Sequence, residues 1–167
     1  IDRSLSFEDY DSLTTIIVQD GMKVAPKGFK DCDNLKTITG KIDLINGEEA
    51  FAGDTALAKI NITGTVIPQA AFNGAKKLSE VLYNNAQVAP TKVKKNGLNG
   101  TAIKYMDLAN LTEAGESAFA GSALTAPNKN TVIMKIGATT IGAYAFENTK
   151  MTMVNFTAAT TIAKGML

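Results

Sequence analysis

Histidine and tryptophan are absent from this 167-residue sequence, and cysteine occurs once. Without an imidazole the chain lacks the commonest general base and the commonest metal ligand. The lone Cys32 therefore has no such partner to activate it as a nucleophile, and it reads as a small core residue. A single cysteine also excludes an internal disulfide, which leaves the redox compartment open. Lys and Arg number 17 against 16 Asp and Glu, a net charge of +1. That balance is too near neutrality to draw nucleic acid or an anionic membrane. No apolar run approaches the length of a membrane span. No phosphate-binding glycine loop or calcium loop occurs, and carboxylate pairs such as Glu48-Glu49 fall at turns, where solvent keeps acids ionised. These absences point away from an enzyme, a metal and a cofactor.

What is present is a repeat. Its anchors are Phe7, Phe29, Phe51, Phe72, Leu98, Phe119, Phe146 and Leu167, spaced 22, 22, 21, 26, 21, 27 and 21 residues apart. The residue before the anchor is small, as at Gly28, Ala50, Ala71, Gly97, Ala118 and Ala145, with Met166 the departure. Two positions after the anchor stand Asp9, Asp31, Gly53, Gly74, Gly100, Gly121 and Asn148. Gly, Asn and Asp most readily adopt positive φ, so each unit turns a corner there. A period in this range is the signature of a solenoid.

After each corner come apolar runs with strand alternation: Leu13-x-x-Ile16-x-Val18, Leu57-x-x-Ile60-x-Ile62, Leu78-x-x-Val81-x-Tyr83, Ile103-x-x-Met106-x-Leu108 and Met151-x-x-Val154-x-Phe156. Leu35 and Ile38 begin a further copy. A second inward position precedes each anchor, at Val24, Ile67, Val93, Ile141 and Ile162, with weaker Asn46 and Ala114. Such a coil cannot bury its own apolar face and must stack on its neighbours.

The chain has the length of one domain, with no composition shift inside it, so residues 1–167 read as a single solenoid. Asn84 to Lys95 is an insertion carrying Lys92, Lys94 and Lys95, read as a solvated loop rather than a polyanion site. Pro127 to Asn130 reads as a loop, and Val132 to Ile136 resumes as a strand. The sequence opens on Ile1 rather than Met, as a mature secreted protein or a fragment would. It stops on an anchor without the strand that should follow, which predicts a truncated end, a partner coil or end-to-end self-association.

The segments Ile141-Gly142-Ala143-Tyr144-Ala145-Phe146, Gly115-Glu116-Ser117-Ala118-Phe119 and Glu48-Glu49-Ala50-Phe51, with Phe29-x-x-Cys32-x-x-Leu35-x-x-Ile38, resemble the BspA-type leucine-rich repeat of bacterial surface proteins. The resemblance covers nearly the whole chain. It implies a mainly β, right-handed solenoid of about eight coils of 21–27 residues, with parallel β-sheet and with turns and short helical turns at the corners. It also implies an extracellular or cell-surface protein that binds or adheres to other proteins, host or bacterial.

Alternation sets which residues such a partner would meet. The outward strand positions include Lys59, Asn61, Glu80, Leu82, Tyr105 and Asp107, which place charge, amide and aromatic groups on one face. These six are the candidate binding residues. The alternative is a structural spacer within a larger surface protein, with no ligand of its own.

Overall fold

The apolar runs fold as short strands, as their period of two requires, and the residues between them fold as turns. The exception is Ile103 to Leu108, which forms only isolated bridges at Tyr105 and Leu108 because the hairpin strand of the coil before it takes the pairing edge. The computed structural model describes residues 6–159, 161 and 163–167. Its strands in chain order are β1 (Thr15–Ile17), β2 (Met22–Lys23), β3 (Thr37–Thr39), β4 (Lys41–Asp43), β5 (Lys59–Ile62), β6 (Val66–Ile67), β7 (Glu80–Tyr83), β8 (Ala86–Gln87), β9 (Lys92–Val93), β10 (Glu113–Ala114), β11 (Ile133–Ile136), β12 (Thr140–Ile141) and β13 (Met153–Phe156). Successive coils pair in parallel: β1 with β3, β2 through β4 and β5 to β7, β6 through β9 and β10 to β12, and β11 with β13. The result is a β-solenoid of about seven turns, one for each bonded step between anchors. Ile162, expected at the last inward position, lies outside the described residues.

The corners hold the stack together. The N–H of each anchor donates to the carbonyl of the residue just before the next anchor: Phe7 to Gly28 (2.7 Å), Phe29 to Ala50 (2.9 Å), Phe51 to Ala71 (2.9 Å), Phe72 to Gly97 (3.1 Å), Leu98 to Ala118 (2.8 Å), Phe119 to Ala145 (2.8 Å) and Phe146 to Met166 (2.9 Å). Two residues to either side the N–H does the same, as from Lys27 to Glu48 and from Asp31 to Ala52. The N–H groups in between turn back into their own coil, Gly28 to Ala25 and Lys30 to Lys27.

This alternation puts left-handed backbone on both sides of the anchor. Asp9, Asp31, Gly53, Gly74, Gly100, Gly121 and Asn148 all have positive φ, as their residue types predict. Lys27, Glu49, Ala70, Asn96, Ser117, Tyr144 and Gly165, two residues before the anchors, have it too. An L-residue in that region costs about 1–2 kcal/mol, and for the first five the hydrogen bond from their N–H to the next coil offsets it. A left-handed residue on each side also breaks any helix. The short helical turns expected at the corners are therefore absent, and no helix occurs among the described residues. It follows that none is long and apolar enough to cross a membrane.

Packing explains the small residue before the anchor. A Cβ on Gly28 would come within 2.6 Å of Val24 Cγ1, and one on Gly97 within 2.9 Å of Val93 Cγ1. The anchors themselves stack, with Phe7, Phe29, Phe51 and Phe72 at centroid spacings of 5.4, 5.5 and 5.9 Å and rings within 12° of parallel. Leu98 interrupts the column, which resumes at Phe119 and Phe146, 5.0 Å apart. The inward strand residues Leu57, Ile60, Leu78, Val81, Ile103 and Met106 are buried beside it.

Two departures from the coil matter for the surface. Asn84 and Asn85 both have positive φ, the conformation of a type I′ hairpin turn. β8 therefore runs back antiparallel beside β7, with Leu82 opposite Gln87 and Tyr83 opposite Ala86. The segment read as a solvated loop thus begins as a hairpin and later includes β9. Its lysines are engaged, Lys94 with Glu113 at 2.8 Å, Lys95 with Glu116 at 3.1 Å and Lys92 with Glu113 at 3.9 Å. The Pro127 to Asn130 loop forms as expected, closed by the Asn130 N–H on Asn128 Oδ1 at 2.8 Å, and the following strand begins at Ile133 rather than Val132.

The corner geometry separates glycines by function. A Cβ on Gly142 would strike the backbone of Gly115 and Glu116, whereas one on Gly74 would meet nothing within 4 Å and would suffer only its positive φ. Urea unfolding should show a loss of about 2–3 kcal/mol for Gly142→Ala but only about 1 kcal/mol for Gly74→Ala. Equal losses would contradict the close packing of coils at this corner.

Candidate functional site

Strand alternation, carried through the coils, decides what the outward face presents. Lys59 and Glu80 stand in register across β5 and β7 and form an ion pair of 3.6 Å, with both side chains about half exposed. Such a surface pair contributes at most about 1 kcal/mol, so it orders the two side chains more than it stabilises the fold. Asn61 and Leu82 are the next outward pair in register, both partly buried.

The face does not continue evenly into the next coil. β8 occupies the side of β7 where the next strand would pair, and Tyr105 instead bridges forward to Ala126. A hollow of about 400 Å³ opens at this break, with Glu80, Leu82 and Tyr105 among its lining residues. Ser79, Gln87 and Lys104, not named from the sequence, line it as well. Lys104 Nζ lies 5.4 Å from the centroid of the Tyr105 ring, within cation–π reach. The Gln87 Nε2 donor is buried without a hydrogen-bond partner. Structure thus brings three of the six sequence candidates into one recess and joins Lys59 and Asn61 to it through the β5–β7 pairing. Asp107 is outward and exposed but does not line the recess, and its Oδ1 accepts the Ala109 N–H at 2.9 Å.

The recess thus sets a cation, a carboxylate and an aromatic ring in the lining of one concave surface. Gln87 could have been found from the sequence had Asn84-Asn85 been read as a hairpin turn, since that pairing sets it opposite Leu82. Lys104 carries no comparable signal, because it precedes an outward residue and its reach over the Tyr105 ring is a matter of side-chain path.

Shifted titration occurs elsewhere, three residues after the anchors, where Cys32, Asp54, Ala75, Thr101 and Ser122 are all buried. Asp54 Oδ1 accepts the Cys32 N–H at 2.9 Å, while Oδ2 has no partner. Burial pushes the Asp54 carboxyl up to about 8; the charges of Asp31 and Asp33 add to this and the Cys32 N–H opposes it. Burial likewise raises the Cys32 thiol to about 11. Its Sγ donates to the Phe7 carbonyl at 2.9 Å, so it behaves as a core residue rather than a nucleophile. Among the described residues no three Cys, Asp or Glu side chains gather into a metal site.

The chain matches the family model described as a BspA type leucine rich repeat region, in six copies, over residues 3–125 and 45–166. No curated protein and no solved structure matches it.

Asp54 gives the fold a specific pH dependence. In the folded chain it holds its proton to about pH 8, whereas in the unfolded chain it releases it near the ordinary carboxylate value of about 3.9. Folding therefore takes up a proton between these limits, and this contribution is fully favourable only below the unfolded value. Stability should fall as pH rises from about 4 to 8, by at most about 1.4 kcal/mol per unit. Asp54→Asn, which keeps an acceptor for the Cys32 N–H, should flatten that slope in urea titrations at pH 5, 7 and 9. An unchanged slope would show that Asp54 is ionised in the folded chain.

Proposed function

This chain belongs to the BspA-type leucine-rich repeat family, and from that premise we propose that it is a non-enzymatic secreted or cell-surface protein that binds another protein through its outward strand face. Repeats of this family are typically surface and protein-interaction repeats. The solenoid over residues 1–167 acts in this reading as one domain, presenting Lys59, Asn61, Glu80, Leu82 and Tyr105 to a host or bacterial surface protein, with Asp107 beyond them. Adhesion is the role that such a surface would serve.

The observation that carries this reading is the recess at the sheet break. A tyrosine ring with the Lys104 ammonium 5.4 Å from its centroid, in a concavity of about 400 Å³ that Glu80 also lines, has the composition of an interface anchor point. Aromatic residues in partly enclosed sites carry a disproportionate share of binding energy. A regular solvated sheet face would not need the hollow.

Capture of extracellular-matrix, plasma and bacterial surface proteins on the immobilised chain tests the proposal. Saturable capture should weaken at least about tenfold with Tyr105→Ala combined with Glu80→Lys, a loss typical of an interface anchor. Capture that the double substitution leaves unchanged would retain binding and overturn the choice of face. Absence of any saturable capture would favour the spacer role instead.

A further inference from the structure

The near-neutral total charge of the chain hides an uneven distribution along it. Residues 6–55 carry ten Asp and Glu against five Lys, whereas residues 56–112 carry seven Lys against two acids, Glu80 and Asp107. Because each coil adds one step along the solenoid, this division becomes an acidic first stretch followed by a basic middle. An acidic partner is repelled by the first and drawn to the second.

Ion pairing decides where the excess lies. Lys92, Lys94 and Lys95 are held by Glu113 and Glu116 on the side of β9 and β10. On the strand face Lys59 and Glu80 offset each other at 3.6 Å. Lys76, Lys77 and Lys104 are exposed and make no ion pair among the described residues. Lys104 lines the recess at Tyr105. Ala102, also in the lining, donates its N–H to the Leu78 carbonyl at 2.9 Å, so Lys76 and Lys77, just before Leu78, stand on the coil against which this wall packs.

The two acids of this face limit the occupant. Glu80 lines the recess and Asp107 is exposed two residues beyond Tyr105, so a polyanion charged at every unit would meet both. A segment whose acids are followed by uncharged residues meets the lysines with one part, and Leu82 and the Tyr105 ring with the other. Complementarity of this kind sets specificity and association rate more than affinity.

We propose that the partner of the strand face is a protein presenting an acidic segment, with carboxylates against Lys77 and Lys104 and an adjoining apolar side chain seated in the recess against Leu82 and Tyr105. This inference rests on the strand-face reading and names the chemistry of its partner. The Lys104 ammonium, 5.4 Å from the centroid of the Tyr105 ring, stays at the recess and offers its charge to the incoming carboxylate. Exposed charges of this kind are screened by salt, so binding weakens as ionic strength rises.

Three acetylated and amidated hexapeptides, Gly-Glu-Glu-Leu-Thr-Gly and its counterparts with Gln-Gln or Lys-Lys in place of Glu-Glu, provide the probe. They are titrated to about 5 mM against the full chain and read by amide NMR shifts. The Glu peptide should bind saturably, at least about tenfold more tightly than the Gln peptide, shift Lys77, Lys104 and Tyr105, and weaken as salt rises from about 20 to 200 mM. Lys104→Glu should weaken it about tenfold, and Lys23→Glu, the same charge change at an exposed residue of β2, less than about twofold. Protein capture lost with Tyr105→Ala, Glu80→Lys but unchanged with Lys104→Glu would overturn the acidic partner and keep the strand face. Capture that both chains retain would overturn the face, and this inference with it. The proposal also fails if no peptide binds, if the Gln or Lys peptide binds as tightly as the Glu peptide, if Lys23→Glu weakens binding as much as Lys104→Glu, or if oligothymidylate binds these lysines more tightly than the Glu peptide.

Discussion

The bond on which this structure depends is the one from each anchor N–H to the carbonyl before the next anchor. It lies beneath the buried anchor side chains, most of them stacked phenylalanines. A buried amide left unpaired is costly, so a coil is complete only when the next coil stands on it. Small residues before the anchor and left-handed backbone on both sides of it are conditions for that bond. They bring one main chain close enough to the next and aim alternate N–H groups across the gap.

Because the corner sets the stacking, the other sides of the coil are free to vary. β7 folds back into a hairpin, the Asp43 turn withholds a strand from β6, and Pro127 to Asn130 leaves the ladder and returns to it. None of these breaks the succession of anchor bonds. Hollows of about 400 and 310 Å³ lie at the first two of these departures, where one coil fails to present the strand that its neighbour could pair. These two hollows thus arise where the repeat is broken, while the intact repeat supplies the frame between them.

The same division governs what could be read from the sequence. Anchors, small residues and the Gly, Asn or Asp after them were legible because sterics restricts those positions to few residue types. The second left-handed position was not, because Lys27, Glu49, Ala70, Asn96 and Ser117 share no property, and their N–H groups are each turned to a bond with the neighbouring coil. Outward strand residues followed from alternation alone. Their grouping did not, since it depends on a hairpin that aligns Gln87 with Leu82 and on a coil that pairs forward instead of back. The Asn84-Asn85 pair did carry that information, as did Asn46 at a position where other coils place an apolar residue.

Amide hydrogen exchange, residue by residue, tests the primacy of the corner bond most directly. The anchor amides of Phe51, Phe72, Leu98 and Phe119 should be the slowest in the molecule, with Phe7 and Phe146 faster because they stand at the ends of the stack. The strand amides of β5 and β7 should exchange before the central anchors. If those strand amides outlast the anchors, the sheets hold the coils together and the corners merely follow.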